Sequence, residues 1–268
     1  MRARYIYGNP ETVTLILSNF EQGDALAGDY QATLSALQSR ISQLQLAQIV
    51  HRKRAIIIVE GWEGAGKNAA LKRLVAALDP CHVATHCVRS SDGKDEDRHW
   101  LARFWGCLPT AGQTVIFEGS WYRLLADRYL AGELDEKALA RACDEINEFE
   151  AQQRDHGTLI VKLFFHLPAA VQVERLRAQG NHPWRRWLID PTEVRGLEDR
   201  DDHVAAWEAM FAQTDTRWSP WRVIDASDKR ASRISALGMI ADAYEKAVPQ
   251  EPPATIAEIL PFPQQKSA

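Results

Sequence analysis

Gly61, Gly64 and Gly66 stand directly ahead of Lys67 in the stretch from Ile56 to Asn68, with the spacing G-x-x-x-x-G-K. Glycines so placed let the backbone bend tightly and turn several N–H groups towards one point, where the lysine adds a mobile positive charge. The chemistry is that of a phosphate-binding loop: Gly61, Gly64, Ala65, Gly66, Lys67 and Asn68 surround an anion at a helix N-terminus. Asn68 stands where a Ser or Thr usually follows the lysine and holds Mg²⁺, so either the metal is held elsewhere or the site is weakened. An ordinary strand–turn–helix with incidental glycines is the weaker explanation, because strand, loop and helix come in the order the chemistry needs.

Two carboxylates are placed to hold such a metal. Glu63 lies inside the loop, and Glu118 ends the apolar run Thr114–Glu118. Ligands collect at the carboxyl ends of parallel strands, and two hard oxygen donors suit a hard cation, Mg²⁺ or Mn²⁺. Taken alone, a strand-end carboxylate is as often a helix cap or an ion-pair partner; Lys67 upstream tips the balance. A third group lies in Arg175–Trp187, where Arg185 and Arg186 sit between Trp184 and Trp187. Arginine forks match phosphate oxygens and indoles offer stacking faces, so residues 175–200 read as a lid that brings positive charge to a transferring phosphoryl group. Its plainer counterpart is a solvated helix end pinned by two tryptophans. His82 and His86, beside Cys81 and Cys87, are read as plain strand residues in preference to a metal site.

The elements that must position these groups follow from periodicity. Tyr30 to about Val50 carries Leu34, Leu37, Ile41, Leu44 and Ile49 at near-helical spacing. Strands are expected at Ile56–Glu60, His82–Val88, Thr114–Glu118, Leu159–Phe165 and Trp221–Asp225. Helices are expected after the loop through Leu78, over Asp92–Phe104, over Leu134–Arg154, from Pro168 onward, and over Lys229–Lys246. Strands alternating with helices imply an α/β fold: a parallel sheet of about five strands, covered on both faces. Residues 1–29 read as an N-terminal arm, 30–248 as one domain and 249–268 as a loosely held tail.

Composition narrows the classes. The chain has 268 residues, 46% of them hydrophobic, enough for a substantial core. A formal charge of −4, with cations spread along the length, gives no electrostatic case for nucleic acid or an anionic membrane. No apolar run reaches spanning length, and the start of the chain lacks an apolar leader core, so a soluble cytoplasmic protein is expected. The four cysteines fit neither a disulfide framework nor a zinc knuckle.

With these pieces placed, the chain resembles the polyphosphate kinase 2 family over roughly Tyr30–Tyr244. The resemblance runs through GWEGAGK, Leu101–Trp105 with Leu108-Pro109, Ser120-Trp121-Tyr122 and Glu145–Glu150. It continues through Pro183 with Arg185-Arg186-Trp187, Thr214-Asp215-Thr216 with Pro220-Trp221, and Asp228-Lys229 with Arg233. It implies a P-loop kinase-like, three-layer α/β/α fold with a helical lid. It also implies Mg²⁺-dependent phosphoryl transfer between inorganic polyphosphate and a nucleoside mono- or diphosphate, by a homodimer or tetramer. Lys67 would then be catalytic, with Glu63 and Glu118 on the two acids of the family pattern. The family's arginine before Ser-Trp-Tyr falls on Gly119, and a later family arginine is met by Arg123 if one residue is deleted locally. In the lid, the family's K-x-W-K becomes Arg185-Arg186-Trp187-Leu188. Gly-Ser-Trp-Tyr is similar to the degenerate half of tandem-domain members, so the alternative is a homologue that binds polyphosphate or nucleotide without turnover.

Overall fold

The apolar runs of the sequence form one parallel sheet: Arg54–Gly61, Thr114–Glu118 and Thr158–His166 are buried on both faces and must be covered on both, whereas the edge run Val83–Cys87 stays partly exposed. The structure is a computed structural model and describes residues 15–89, 98–189 and 197–253. Its strands are β1 (Arg54–Gly61), β2 (Val83–Cys87), β3 (Thr114–Glu118), β4 (Thr158–His166) and β5 (Trp221–Asp225), in the order 2-3-1-4-5. β1 is central and buried from Ala55 to Glu60. Register sets Val59 against Glu118 and Gly61 against Phe165, which brings the carboxyl ends of β1, β3 and β4 level.

The helices are α1 (Tyr30–Val50), α2 (Lys67–Val75), α3 (Ala102–Trp105), α4 (Trp121–Leu130), α5 (Glu136–Asp155), α6 (Ala169–Gly180), α7 (Arg200–Thr214) and α8 (Lys229–Ala247). The Asp29 carboxylate caps α1 by accepting from Ala32 N–H at 2.7 Å. α8 packs against α1, α2, β4 and β5, whereas α4, α5 and α7 pack on one another and α5 on β4. The two helical layers thus share one sheet. Pro168 serves as N-cap of α6, one position earlier than expected.

The expected strands and the long helices lie where periodicity puts them, to within a few residues at their ends. The helix expected over Asp92–Phe104 does not: only Ala102–Trp105 is helical among its described residues, and residues 92–97 fall outside the description. Trp100 and Leu101 are committed to tertiary contacts instead, with Trp100 Nε1 donating to Glu145 Oε2 at 3.0 Å. α4 and α7 are additions to the sequence reading.

Residues 15–29 run along the carboxyl ends of β4 and β5. Leu17 is fully buried and its N–H donates to Glu208 Oε1 at 2.8 Å. Gly23 N–H donates to Asp225 Oδ2 at 2.7 Å. His86 stacks on Phe117 with ring centroids 5.4 Å apart, and His82 bonds Asp79 at 3.1 Å. No described helix is long and apolar enough to cross a membrane.

Candidate active site

The loop leaves β1 at Gly61, whose φ of +122° and position leave no room for a side chain, since an added Cβ would collide with the Phe165 backbone. β1 and β4 can therefore run edge to edge up to the loop. Trp62 N–H then donates to Phe165 O at 3.2 Å, which pins the first loop residue to β4. Gly66 caps α2 with a left-handed backbone and no side-chain acceptor, so no side chain competes for the N–H groups of the first turn. Lys67 is 5% exposed, and its Nζ donates to Gly61 O at 2.5 Å and Trp62 O at 3.2 Å. The same Nζ stands 4.0 Å from Glu118 Oε1. Lys67 is folded back on the loop it serves, and Asn68 beside it is exposed.

Glu118 ends β3 level with Cys87 and Val59, and its side chain is 14% exposed. Glu63 lines a cavity of about 60 Å³ with Glu60, Arg123, Asp127, Gln172 and Arg200. Glu118 is not among the residues that line this cavity, so the two carboxylates expected to share a metal do not share its lining. Among the described residues no group of three or more His, Cys, Asp or Glu could hold a metal ion.

Glu60 is the acid that the sequence reading passes over. It is buried at the end of β1 and accepts from Ser120 Oγ at 2.7 Å. Burial pushes its carboxyl up to about 7, although the Ser120 bond and the charges of Arg123 and Lys67 pull the other way. Its signal in the sequence is a lone acid ending an apolar run. Ser120 also caps α4 through Tyr122 N–H, so one hydroxyl ties β1 to the helix that carries Arg123.

Arg123 lies 16% exposed with Nε 3.6 Å from Asp127 Oδ2. Its stem runs past Gly119, where an added Cβ would lie 3.3 Å from Arg123 Cδ and 2.7 Å from Val88 O. Gly119 also has a φ of +71°, so backbone and space both exclude a side chain there.

Two further arginines brace the loop, and they stand at the two ends of the stretch 175–200 that the sequence marks as a lid. Arg175 donates to Gly64 O at 3.2 Å and to Ser227 O at 2.6 Å. Arg200 lies 4.5 Å over the Trp62 ring, donates to Leu167 O at 2.5 Å and bonds Gln172. Trp62 Nε1–H donates to His166 Nδ1 at 2.8 Å, which leaves the proton on Nε2 to bond Glu21 Oε1 at 2.8 Å. Burial holds the His166 imidazole below its ordinary pKa against the pull of Glu21. Arg185 and Arg186 belong to a short turn, Arg185–Leu188, that packs against α6. Trp184 and Trp187 beside them are each 80% exposed, and no hydrogen bond or ion pair joins the two arginines to the loop among the described residues.

Most of the remaining resemblance segments meet in a sealed cluster below the site. Lys162, fully buried on β4, lies 3.1 Å from Glu150 Oε2 and donates to Thr214 O at 2.7 Å. Tyr122 OH and Trp121 Nε1 donate to Glu150 Oε1 at 2.7 and 3.2 Å. Trp221 Nε1 donates to Thr214 Oγ1 at 3.0 Å. These residues hold α4, α5 and α7 against β4 and β5.

A phosphate-binding loop after the central strand of a 2-3-1-4-5 parallel sheet, with an acid ending the neighbouring strand, defines a P-loop kinase-like α/β protein. The chain belongs to the polyphosphate kinase 2 family, whose profile matches residues 25–252. It is similar to the polyphosphate:AMP phosphotransferase of Pseudomonas syringae pv. tomato, 34% identical over 220 residues that cover 82% of this chain and 44% of the relative. It is similar as well to the GDP-polyphosphate phosphotransferase of Mycolicibacterium smegmatis, 30% identical over 217 residues covering 81% of this chain and 77% of the relative. A crystal structure of polyphosphate kinase 2 from Arthrobacter aurescens TC1 shares the fold, with a TM-score of 0.82 at 24% identity over 90% of this chain and 87% of that one. The chain spans about half the length of the polyphosphate:AMP phosphotransferases it matches.

Proposed function

We propose that the chain moves a phosphoryl group between inorganic polyphosphate and a nucleoside mono- or diphosphate. The observation that carries the reading is Lys67, buried at the head of α2, 4.0 Å from the Glu118 carboxylate and bonded to displaceable loop carbonyls. Phosphate oxygens entering the loop would take over those bonds. Family membership supports the substrate class, and the two acceptor kinds come from relatives named for AMP and for GDP.

In this reading Gly61, Gly64, Ala65, Gly66, Lys67 and Asn68 cradle the phosphates, and an acceptor phosphate oxygen attacks the terminal phosphorus as the bridging P–O bond breaks. Glu63 and Glu118 would hold Mg²⁺, or Mn²⁺, whose bound charge neutralises the oxygens of the phosphate groups. Arg123, fixed beside Gly119, offsets charge on the transferred group, and Arg185 and Arg186 reach the polyphosphate when the lid, about residues 175–200, closes. Catalysis is then alignment and electrostatic stabilisation. Residues 1–29 form the arm, 30–248 the kinase-like domain and 249–268 the tail; a cytoplasmic homodimer or tetramer completes the reading.

The test is turnover by purified protein with polyphosphate and Mg²⁺, offering AMP, ADP, GMP and GDP separately, with ATP as donor in a parallel set. Product is expected with polyphosphate, and Lys67→Ala should reduce it on the order of 10³-fold while leaving the fold intact. Full activity in Lys67→Ala would remove the loop as the site. Binding of polyphosphate with no product in any combination would select the non-catalytic homologue.

A further inference from the structure

The end of β4 reaches the loop through one side chain that the proposed function does not use. His166, the last residue of β4, is 2% exposed, and its Nδ1 accepts the indole N–H of Trp62 at 2.8 Å. An indole nitrogen only donates, so this bond exists only while Nδ1 carries no proton. Two features keep it so. Nε2 donates to Glu21 Oε1 at 2.8 Å, and burial disfavours the doubly protonated, charged ring.

Trp62 is where this bond meets the loop. Its carbonyl accepts from Ala65 N–H at 3.1 Å, which closes the turn, and from Lys67 Nζ at 3.2 Å. Its ring packs edge-on against Phe164, with centroids 5.4 Å apart, and lies under the Arg200 guanidinium. Ring contacts of this kind hold an indole without setting which way its N–H points; the bond to His166 sets it. Arg175 braces the Gly64 side of the loop from outside, and His166 braces the Trp62 side.

We infer that His166 is a positioning residue for phosphate binding: through Trp62 it holds the turn that aims the loop N–H groups at an incoming phosphate. The inference rests on the reading of the loop as the phosphate site. It gives His166 no contact with substrate.

The test titrates tripolyphosphate with Mg²⁺ by calorimetry into the wild type, Lys67→Ala, His166→Leu and His166→Asn. His166→Leu removes the acceptor, and His166→Asn restores one, because its Oδ1 takes the place of Nδ1. Affinity is expected to fall about tenfold in His166→Leu and to return to within about threefold of the wild type in His166→Asn. Unfolding of part of the protein lowers the number of sites and leaves the affinity of each unchanged, so a change in affinity separates positioning from stability. Trp62→Phe removes the donor and keeps a ring; it should weaken binding as much as His166→Leu does, and its reading does not depend on that variant folding. In the wild type the Trp62 indole N–H resonance, identified by its loss in Trp62→Phe, should differ from that of His166→Leu, with His166→Asn returning towards the wild-type position. Wild-type affinity in His166→Leu or Trp62→Phe overturns the inference, as does equal weakening by His166→Leu and His166→Asn. These outcomes leave the loop reading in place when Lys67→Ala abolishes binding. No binding by the wild type, or binding indifferent to Lys67→Ala, removes the loop as the phosphate site and the inference with it.

Discussion

Two lysines a strand apart have opposite fates. Lys67 follows β1 and Lys162 lies within β4, and both are buried amines facing a glutamate. Lys162 is sealed at 0% exposure, with Glu150, Tyr122 and the Thr214 carbonyl taking its donors. Lys67 spends two bonds on carbonyls of a glycine loop, and its glutamate, at 4.0 Å, is beyond hydrogen-bond range. The sealed amine is a structural post, because its partners Glu150, Tyr122 and Thr214 are themselves fully buried and bonded within the chain. The loop amine is held by acceptors that a phosphate oxygen can replace.

The sharpest way to break this comparison is to remove each amine. Lys162→Met leaves the Glu150 carboxylate buried without its cation and should cost about 3–5 kcal/mol, read as a large fall in thermal midpoint. Pairing it with Glu150→Gln should recover part of the loss. Lys67→Ala should move the midpoint by far less. Equal destabilisation by both would mean that Lys67 is also a structural post.

Glu60 tests the same contrast through pH. The folded carboxyl keeps its proton up to about 7, whereas the ordinary value is 4.5, so between these pH values the native state binds more protons than the unfolded chain. Stability should therefore fall as pH rises across that window, by about 3 kcal/mol, and level off above it. Urea unfolding at several pH values should show the slope in the wild type and its absence in Glu60→Gln. A slope that persists in Glu60→Gln would place the titration elsewhere. The smallest stability effect is expected in the lid. Replacing Arg185 and Arg186 by alanine should leave the thermal midpoint within about 1 °C, as surface changes do, while raising the half-saturating polyphosphate concentration several-fold. An unchanged half-saturation would remove both arginines from the binding path.

How far the site is legible in the sequence depends on the reach of each interaction. The loop, Glu118 and α1 are visible because spacing within a few residues encodes them. α4 is missed although Trp121, Tyr122, Leu124, Leu125 and Ala126 are buried opposite the half-buried Arg123, Asp127 and Arg128, because ten residues are too short a window for the periodicity to be read. Arg175 and Arg200 brace the loop from 111 residues or more along the chain, a separation that no local pattern carries. Glu60 hides in the opposite way: its neighbours advertise a buried strand, and its own charge state is decided by Ser120, Arg123 and the burial around them. Other resemblance segments belong to the scaffold, for Trp121, Tyr122, Glu150 and Trp221 lie inside the core.

Gly119 decides from which element a cation can approach this corner of the site. Its backbone sits at φ +71°, the Val88 carbonyl closes over the space a Cβ needs, and the Arg123 stem passes alongside. A side chain at this position would require all three to move together. A cation beside the loop comes instead from the first turn of α4, where Arg123 stands.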